Sequence, residues 1–387
     1  MHIQELNLYL EDTDEGQIES SNVSRSSEKY PPQKDQMTMF PEWREGDWMS
    51  DGGAYERFVV ELITDTGEMG FCVNESGGEY SARLIDRHYR RFIEESSPWE
   101  VTRVWEQMYR AQLPTGQGGL NHMAMAAVEL AYWDLLGQIT GEPVYNLLGG
   151  KVRDEIECYV TVYPHVMESM ADRGFFGVKL PVHHGPTDRR PGIDAIEQMV
   201  LEARETFGDD AEVMIEGYMA WDKEYTVRVA DRLKAHGVKW IEDPLVPDHS
   251  VEQYRDLRET IKPIQLAVGN LEWGHKSFDE LINRGAGDII QPDISWIGGI
   301  TEGKRIAAMA KPKGLPVIPH YTTPYTSHFI ISQPECHYGE WMAGWNTDIE
   351  PNVPIIDGEY LPENGTIEVP DDPGFGVELK RDSIVPL

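Results

Sequence analysis

Six polar residues in the second half of the chain have types and spacing that could do chemistry: Glu216, Glu242, Asn270, Asp293, His320 and Glu340. Each closes a short apolar run, and successive members lie 26, 28, 23, 27 and 20 residues apart. A strand, a helix and two short loops take up that interval, so each residue is expected at the carboxyl end of a successive parallel strand. In a barrel of parallel strands those ends share one face, where such barrels carry their active sites. Glu216, Glu242 and Asn270 offer three hard oxygen donors. That set suits Mg²⁺ better than zinc, because no cysteine or histidine is among them. A carboxylate at 293 beside an imidazole at 320 would fix the imidazole's tautomer and raise its basicity. No serine or cysteine nucleophile stands out beside the pair, so proton transfer is expected. A metal and a base on one face suit removal of a weakly acidic proton next to a carboxylate, with the developing charge stabilised by the metal.

The elements that must position these residues can be traced. Eight apolar runs, "IECYVTVY", "FFGVKL", "EVMIE", "VKWIED", "IQLAVGN", "DIIQPD", "LPVIPH" and "HYGEW", begin near residue 155. Helix-period stretches such as "AIEQMVLEARETFG" and "YTVRVADRLKAHG" separate most of them. This alternation predicts an α/β fold with eight parallel strands closed into a barrel. An open doubly wound sheet shares the alternation, but no GxGxxG follows a strand. The first 150 residues read as α+β instead. Strand candidates "IQELNLYL" and "RFVVELIT" precede helix candidates "SARLIDRHYRRFIEE", "PWEVTRVWEQMYRAQ" and "NHMAMAAVELAYWDLLGQITG". The last is apolar nearly all round and should be buried.

Composition narrows the partners. Of 387 residues 40% are hydrophobic, enough for a sizeable core. Asp plus Glu number 67 against 34 Lys plus Arg, a formal charge of −33 that repels nucleic acid and anionic membranes. Such self-repulsion is screened in strong salt, which points to a salt-rich, halophilic cytoplasm. The first residues carry no secretory signal pattern, and no apolar run is long enough for a membrane span. Cys72, Cys158 and Cys336 are odd in number and far apart, which fits a reducing compartment.

The stretches "WIEDP", "DIIQPDISWIGGITE", "VIPH" and "VKLPVHHGP" resemble the enolase superfamily, in its mandelate racemase branch. The closest resemblance is to L-rhamnonate dehydratase-like acid-sugar dehydratases, which "NLLGGKVRDEI" and "PENGTIEVPDDPGFGVEL" also match. The resemblance runs from about residue 55 to the end of the chain. It implies a modified eight-stranded (β/α) barrel over residues 151–345 under an α+β capping domain over 1–150. A lid loop would span about 31–53, and a C-terminal segment, 346–387, would return to the cap. The resemblance implies Mg²⁺ on Glu216, Glu242 and Asn270, a catalytic dyad of Asp293 and His320, and Lys179 as the second-strand lysine. Glu340 would bind the substrate carboxylate in its protonated form. The second lysine of the racemase-type KxK pattern is Pro181 here, so His320 is the expected base. It would take the proton from carbon 2 of a sugar acid and could serve as the acid when hydroxide leaves carbon 3, giving a 2-keto-3-deoxy product. A homo-oligomer is implied as well.

Three features depart from that pattern. Asn270 replaces an acid, Glu216 replaces the usual aspartate, and no histidine lies between His2 and His88 where the cap loops should supply one. Asp47 falls near the expected cap arginine, with Arg44 the nearest arginine. Arg44, His184 and Trp296 are the candidate substrate contacts, with His183 and His165 as weaker ones, and Gln291 reads as a structural hydrogen-bond partner. Two rival functions stay open. Lys179 facing His320 would permit racemisation or epimerisation of a 2-hydroxy acid. A barrel weakened at Asn270 could serve as a binding protein.

Overall fold

The computed structural model describes residues 1–12, 31–44, 56–247, 250–344 and 346–387. The chain opens with β1 (Ile3–Glu11), then β2 (Phe58–Thr64) and β3 (Met69–Asn74), three antiparallel strands in sequence order. Strand Ile384–Pro386 from the far end of the chain pairs antiparallel with β1 and completes a four-stranded sheet. Helices α1 (Gly78–Leu84) and α2 (Arg90–Ile93) are separated by a wider π turn over Ile85–Tyr89. The single helix expected over "SARLIDRHYRRFIEE" is therefore interrupted. Next come α3 (Val101–Gln112), α4 (Leu120–Thr140) and α5 (Val144–Leu148). Helix α4 is buried on nearly every side, as its all-round apolar sequence requires, between β2 and β3 on one side and the barrel on the other.

Two acids on α4 fasten these layers together. Asp134 accepts from Phe71 N on β3 (2.9 Å) and from Phe375 N in the C-terminal segment (3.0 Å). Glu129 accepts from Ile300 N (3.0 Å) and Thr301 N (2.9 Å), orphan donors at the start of a barrel helix. Gly299 makes that approach possible: a Cβ there would lie 2.2 Å from Glu129 Oε2.

The barrel strands are β4 (Ile156–Val162), β5 (Gly177–Pro181), β6 (Glu212–Glu216), β7 (Val238–Glu242), β8 (Gln265–Val268), β9 (Ile289–Ile290) and β10 (Gly339–Gly344). All pair in parallel in the order β10-β4-β5-β6-β7-β8-β9. The seventh run, "LPVIPH", contributes one bridge, Val317 to Ile290. Val317 N also reaches Glu335 O (3.0 Å) and Thr322 N reaches Glu340 O (2.9 Å), which closes the ring against β10. Helices α6 (Arg189–Phe207), α7 (Lys223–Leu233), α8 (Val251–Ile261), α9 (Gly274–Arg284), α10 (Ile300–Ala310) and α11 (Pro324–Ser332) pack outside. Asp222, Ser250 and Thr323 cap α7, α8 and α11 through their side chains. Inside the ring Tyr159, Met214, Trp240, Ala267, Ile289 and Ile318 form a core of their own. Tyr159 and Trp240 meet edge to face, 5.3 Å between centroids. This plug makes the barrel a solid platform whose open side is the mouth. No helix among the described residues is long and apolar enough to cross a membrane.

Candidate active site

Strand β6 ends on Glu216 and β7 on Glu242, and the register sets the two directly opposite each other. Gly217 lets the loops beyond them close up, since a Cβ there would lie 2.7 Å from Pro244 Cα. Asn270 follows β8 by two residues, Asp293 follows β9 by three, and His320 follows the Val317 bridge by three. Glu340 differs from expectation: it is the second residue of β10, not its last, so its carboxylate reaches the mouth from within the ring. All of these side chains are buried or nearly so.

Lys179, in the middle of β5, is the hub. Its Nζ lies 3.0 Å from Glu216 Oε2, 2.7 Å from Glu242 Oε1 and 2.8 Å from Glu340 Oε1, with none of the side chain exposed. Burial alone would discharge the amine, but Glu216, Glu242 and Glu340 outweigh it and hold its pKa well above the ordinary value. Lys179 is thus a fixed cation.

Glu340 departs from the protonated form expected of it. Burial favours its neutral form, yet Lys179 and then His320 push its pKa down to about 2, helped by the Thr161 hydroxyl. Both of its oxygens accept here, Oε1 from Lys179 (2.8 Å) and Thr161 and Oε2 from Tyr321 N–H (3.2 Å), an arrangement that favours the ionised form. Glu216 goes the other way: burial and repulsion from Glu242 push it up to about 8 despite Lys179.

Three carboxyl groups around one ammonium leave an excess of two negative charges when all are ionised, which a dication would balance. Glu216 Oε1 and Asn270 Oδ1 are buried with no hydrogen-bond partner among the described residues, and such atoms need one. Gln291 and Trp240 meanwhile donate to Glu242 Oε2 at 2.9 and 3.3 Å. Among the described residues no group of three His, Cys, Asp or Glu side chains is arranged to hold a metal ion. The trio here is two carboxylates and an amide, and its unpartnered oxygens fit a hard cation such as Mg²⁺. Asn270→Asp adds the missing charge, so Mg²⁺ affinity by isothermal titration calorimetry should rise by on the order of tenfold or more. The metal-free variant should be less stable than wild type, with one more buried carboxylate near Glu242.

His320 and Asp293 meet at 2.9 Å through Nδ1 and Oδ2. Ser295 N holds the other carboxylate oxygen, Oδ1, at 2.8 Å. Burial disfavours the imidazolium, but the Asp293 hydrogen bond and then the Glu340 charge outweigh it and push the pKa up to about 9. With Nδ1 committed to Asp293, Nε2 is the nitrogen left for chemistry. Trp296 packs against this ring, centroids 5.9 Å apart, and is backed by Trp273, stacked on it at 5.9 Å.

The other candidates are placed elsewhere. His184 turns to Asp188 (3.4 Å) and, with His183, helps line a cavity of about 110 Å³ against α6. Arg44 Nε donates to Thr38 O (3.3 Å) and so ties its own loop together. Asp47 and the rest of the lid loop from 45 to 53 lie outside the described residues. The described part of that loop docks on the end of β5, with Lys34 N bonding Val182 O at 3.1 Å. His165 sits beside Tyr163, ring centroids 6.0 Å apart.

Comparison with known proteins agrees with this architecture. The family model described as enolase C-terminal domain-like matches residues 163–383. That of the mandelate racemase / muconate lactonizing enzyme N-terminal domain matches 54–149. The chain is similar to L-rhamnonate dehydratase of Saccharopolyspora erythraea: 37% identical over 348 residues, 89% of this chain and 88% of the relative. The crystal structure of L-rhamnonate dehydratase from Gibberella zeae superposes with a TM-score of 0.89 at 27% identity, covering 100% of this chain and 96% of that one. The same values hold for that enzyme complexed with Mg. The 3,6-anhydro-D-galactonate cycloisomerase of Zobellia galactanivorans superposes with a TM-score of 0.77 at 25% identity, over 85% of this chain and 94% of that one. The chain, with its capped barrel and these matches over both parts, belongs to the enolase superfamily, in the mandelate racemase and muconate lactonizing enzyme group.

Proposed function

We propose that the protein is a Mg²⁺-dependent hydro-lyase that dehydrates a sugar acid, L-rhamnonate or a related aldonate, to a 2-keto-3-deoxy sugar acid. The observation that carries this reading is the Asp293–His320 pair on the same barrel face as Glu216, Glu242 and Asn270. The relatives named L-rhamnonate dehydratase support the reaction class, and the Mg-complexed one supports the metal. Held by Glu216, Glu242 and Asn270, Mg²⁺ would stabilise the negative charge that develops on the substrate carboxylate.

The chain's own groups do the rest. Neutral His320, with its Nδ1 proton on Asp293, accepts the carbon-2 proton at Nε2. Asp293 stabilises the imidazolium so formed. The electron pair of the broken C–H bond becomes the C2=C3 double bond as the carbon-3 hydroxide departs. His320 returns its proton to that oxygen, so water leaves and the base is regenerated. The resulting enol tautomerises to the 2-ketone. Lys179 and ionised Glu340 keep the field around this step fixed, and Trp296 limits where the imidazole can swing. Turnover in ²H₂O tests the reaction class. A dehydratase yields ketone carrying solvent deuterium at carbon 3, whereas an epimerase returns intact substrate labelled at carbon 2.

The dyad also sets a pH dependence. His320 is active as a base when neutral, so kcat/KM should rise with pH up to its pKa and then level off. In the metal-free protein that pKa is raised to about 9, and a nearby dication, by opposing the imidazolium, must lower it. Because the folded pKa lies above the ordinary 6.5, the pair stabilises the metal-free fold fully below 6.5 and loses this contribution as pH rises through 9. Denaturant midpoints of metal-free wild type and His320→Asn should therefore converge between those values.

A further inference from the structure

We propose that Asn74 and Glu75, at the end of β3, are positioning residues: through them the capping domain grips the backbone just beyond each member of the Asp293–His320 pair. The inference rests on the reading of that pair as catalytic. Asn74 Nδ2 donates to Ser295 O at 2.8 Å and to Met123 O at 3.1 Å, while its Oδ1 accepts from Ser76 N at 3.1 Å. Ser295 is the residue whose own N–H holds Asp293 Oδ1 at 2.8 Å. The cap therefore fixes the peptide that aims the carboxylate.

Glu75 acts on the other partner. Its Oε2 accepts from the Tyr321 hydroxyl at 2.9 Å, and the Tyr321 hydroxyl oxygen also lies 3.1 Å from Asn352 O in the C-terminal segment. Tyr321 directly follows His320 and has a φ of 61°, in the left-handed region that residues with a Cβ avoid. Its hydroxyl on Glu75 and Asn352 O and its N–H on Glu340 Oε2 at 3.2 Å hold it there. Strain of this kind persists only where surrounding structure over-determines it. Glu75 is itself braced within the cap, since Arg57 lies 3.7 Å from its Oε2 and 3.0 Å from Glu11 Oε2 at the end of β1. Neither grip touches the reacting atoms. Each sets the direction of a group that does, and a small misplacement of a catalytic group is costly.

The test uses the full-length protein and reads the imidazole itself. Histidines are labelled with ¹⁵N, the His320 signal is assigned by its loss in His320→Asn, and its titration is followed without metal in wild type, Tyr321→Phe, Glu75→Ala and Glu75→Gln. Loosening the dyad should move the His320 midpoint in Tyr321→Phe and Glu75→Ala down from about 9 toward 6.5. Glu75→Gln, which keeps an acceptor at the same place, should retain most of the wild-type value. With sugar acid and Mg²⁺, Tyr321→Phe should lose roughly 10- to 100-fold in kcat with little change in KM. A His320 titration in folded Tyr321→Phe that superposes on wild type overturns the proposal, whatever Glu75→Ala does. If no sugar acid is turned over but the midpoint moves as stated, the positioning role stands and the dehydratase reading falls.

Discussion

Replacing His320 with Asn should lower kcat for sugar-acid dehydration about 10²- to 10⁴-fold, the range a positioned general base supplies. The Asn amide stands close to the Nδ1 position and keeps a donor able to reach Asp293, so folding should be preserved. Mg²⁺ affinity should be close to wild type, because His320 contacts Asp293 and not the Glu216, Glu242 and Asn270 trio. Asp293→Asn should reproduce much of the loss by a different route. An amide can present its N–H to Nδ1, which would put the imidazole proton on Nε2 and blunt the base. Stopped-flow or steady-state ketone formation, alongside calorimetric Mg²⁺ titration, separates loss of chemistry from loss of metal. A variant that turns over at the wild-type rate would remove His320 from the mechanism.

The largest expected effect on stability is at Lys179. Lys179→Met should destabilise the metal-free protein by about 3–5 kcal/mol, the cost of leaving buried charge uncompensated. Three carboxylates converge on Nζ within 3.0 Å, and the site is fully buried. The loss should be smaller at acid pH, where protonation relieves the repulsion. Added Mg²⁺ should recover part of it, because a dication at Glu216 and Glu242 replaces the missing positive charge. The same change releases Glu340, whose depressed pKa makes its ionised form stabilising above 4.5 and ineffective as pH falls toward 2. Urea midpoints at two pH values, with and without Mg²⁺, read all of these signs together. A loss below about 1 kcal/mol would mean that water or a rearranged neighbour already serves the cluster.

The barrel was legible because hydrophobic runs and helical stretches alternate at an even interval, and the site residues mark the same interval. The buried character of α4 was legible from its lack of a polar face. What remained hidden depends on contacts between distant residues. Lys179 stands out in "GVKLP" only through the family resemblance, and only the folded ring shows three carboxyl groups around it. The ionised state of Glu340 follows from that same cation. His184 pairs with Asp188 and shares with His183 a cavity against α6, an arrangement that the stretch "HHGP" does not announce. Glu75 and Tyr321 are 246 residues apart, and nothing local in either stretch announces their contact. The short seventh strand, a single bridge at Val317, is equally a product of ring closure rather than of its own sequence.

One measurement bears most directly on the dehydratase reading. Purified protein with Mg²⁺ is incubated with a panel of aldonic and aldaric acids that includes L-rhamnonate, and 2-keto-3-deoxy products are trapped with semicarbazide. Wild type should form trapped ketone from at least one aldonate, and His320→Asn and metal-chelated wild type should form almost none. Folded, Mg²⁺-binding wild type that yields no ketone from any member of the panel would contradict the account.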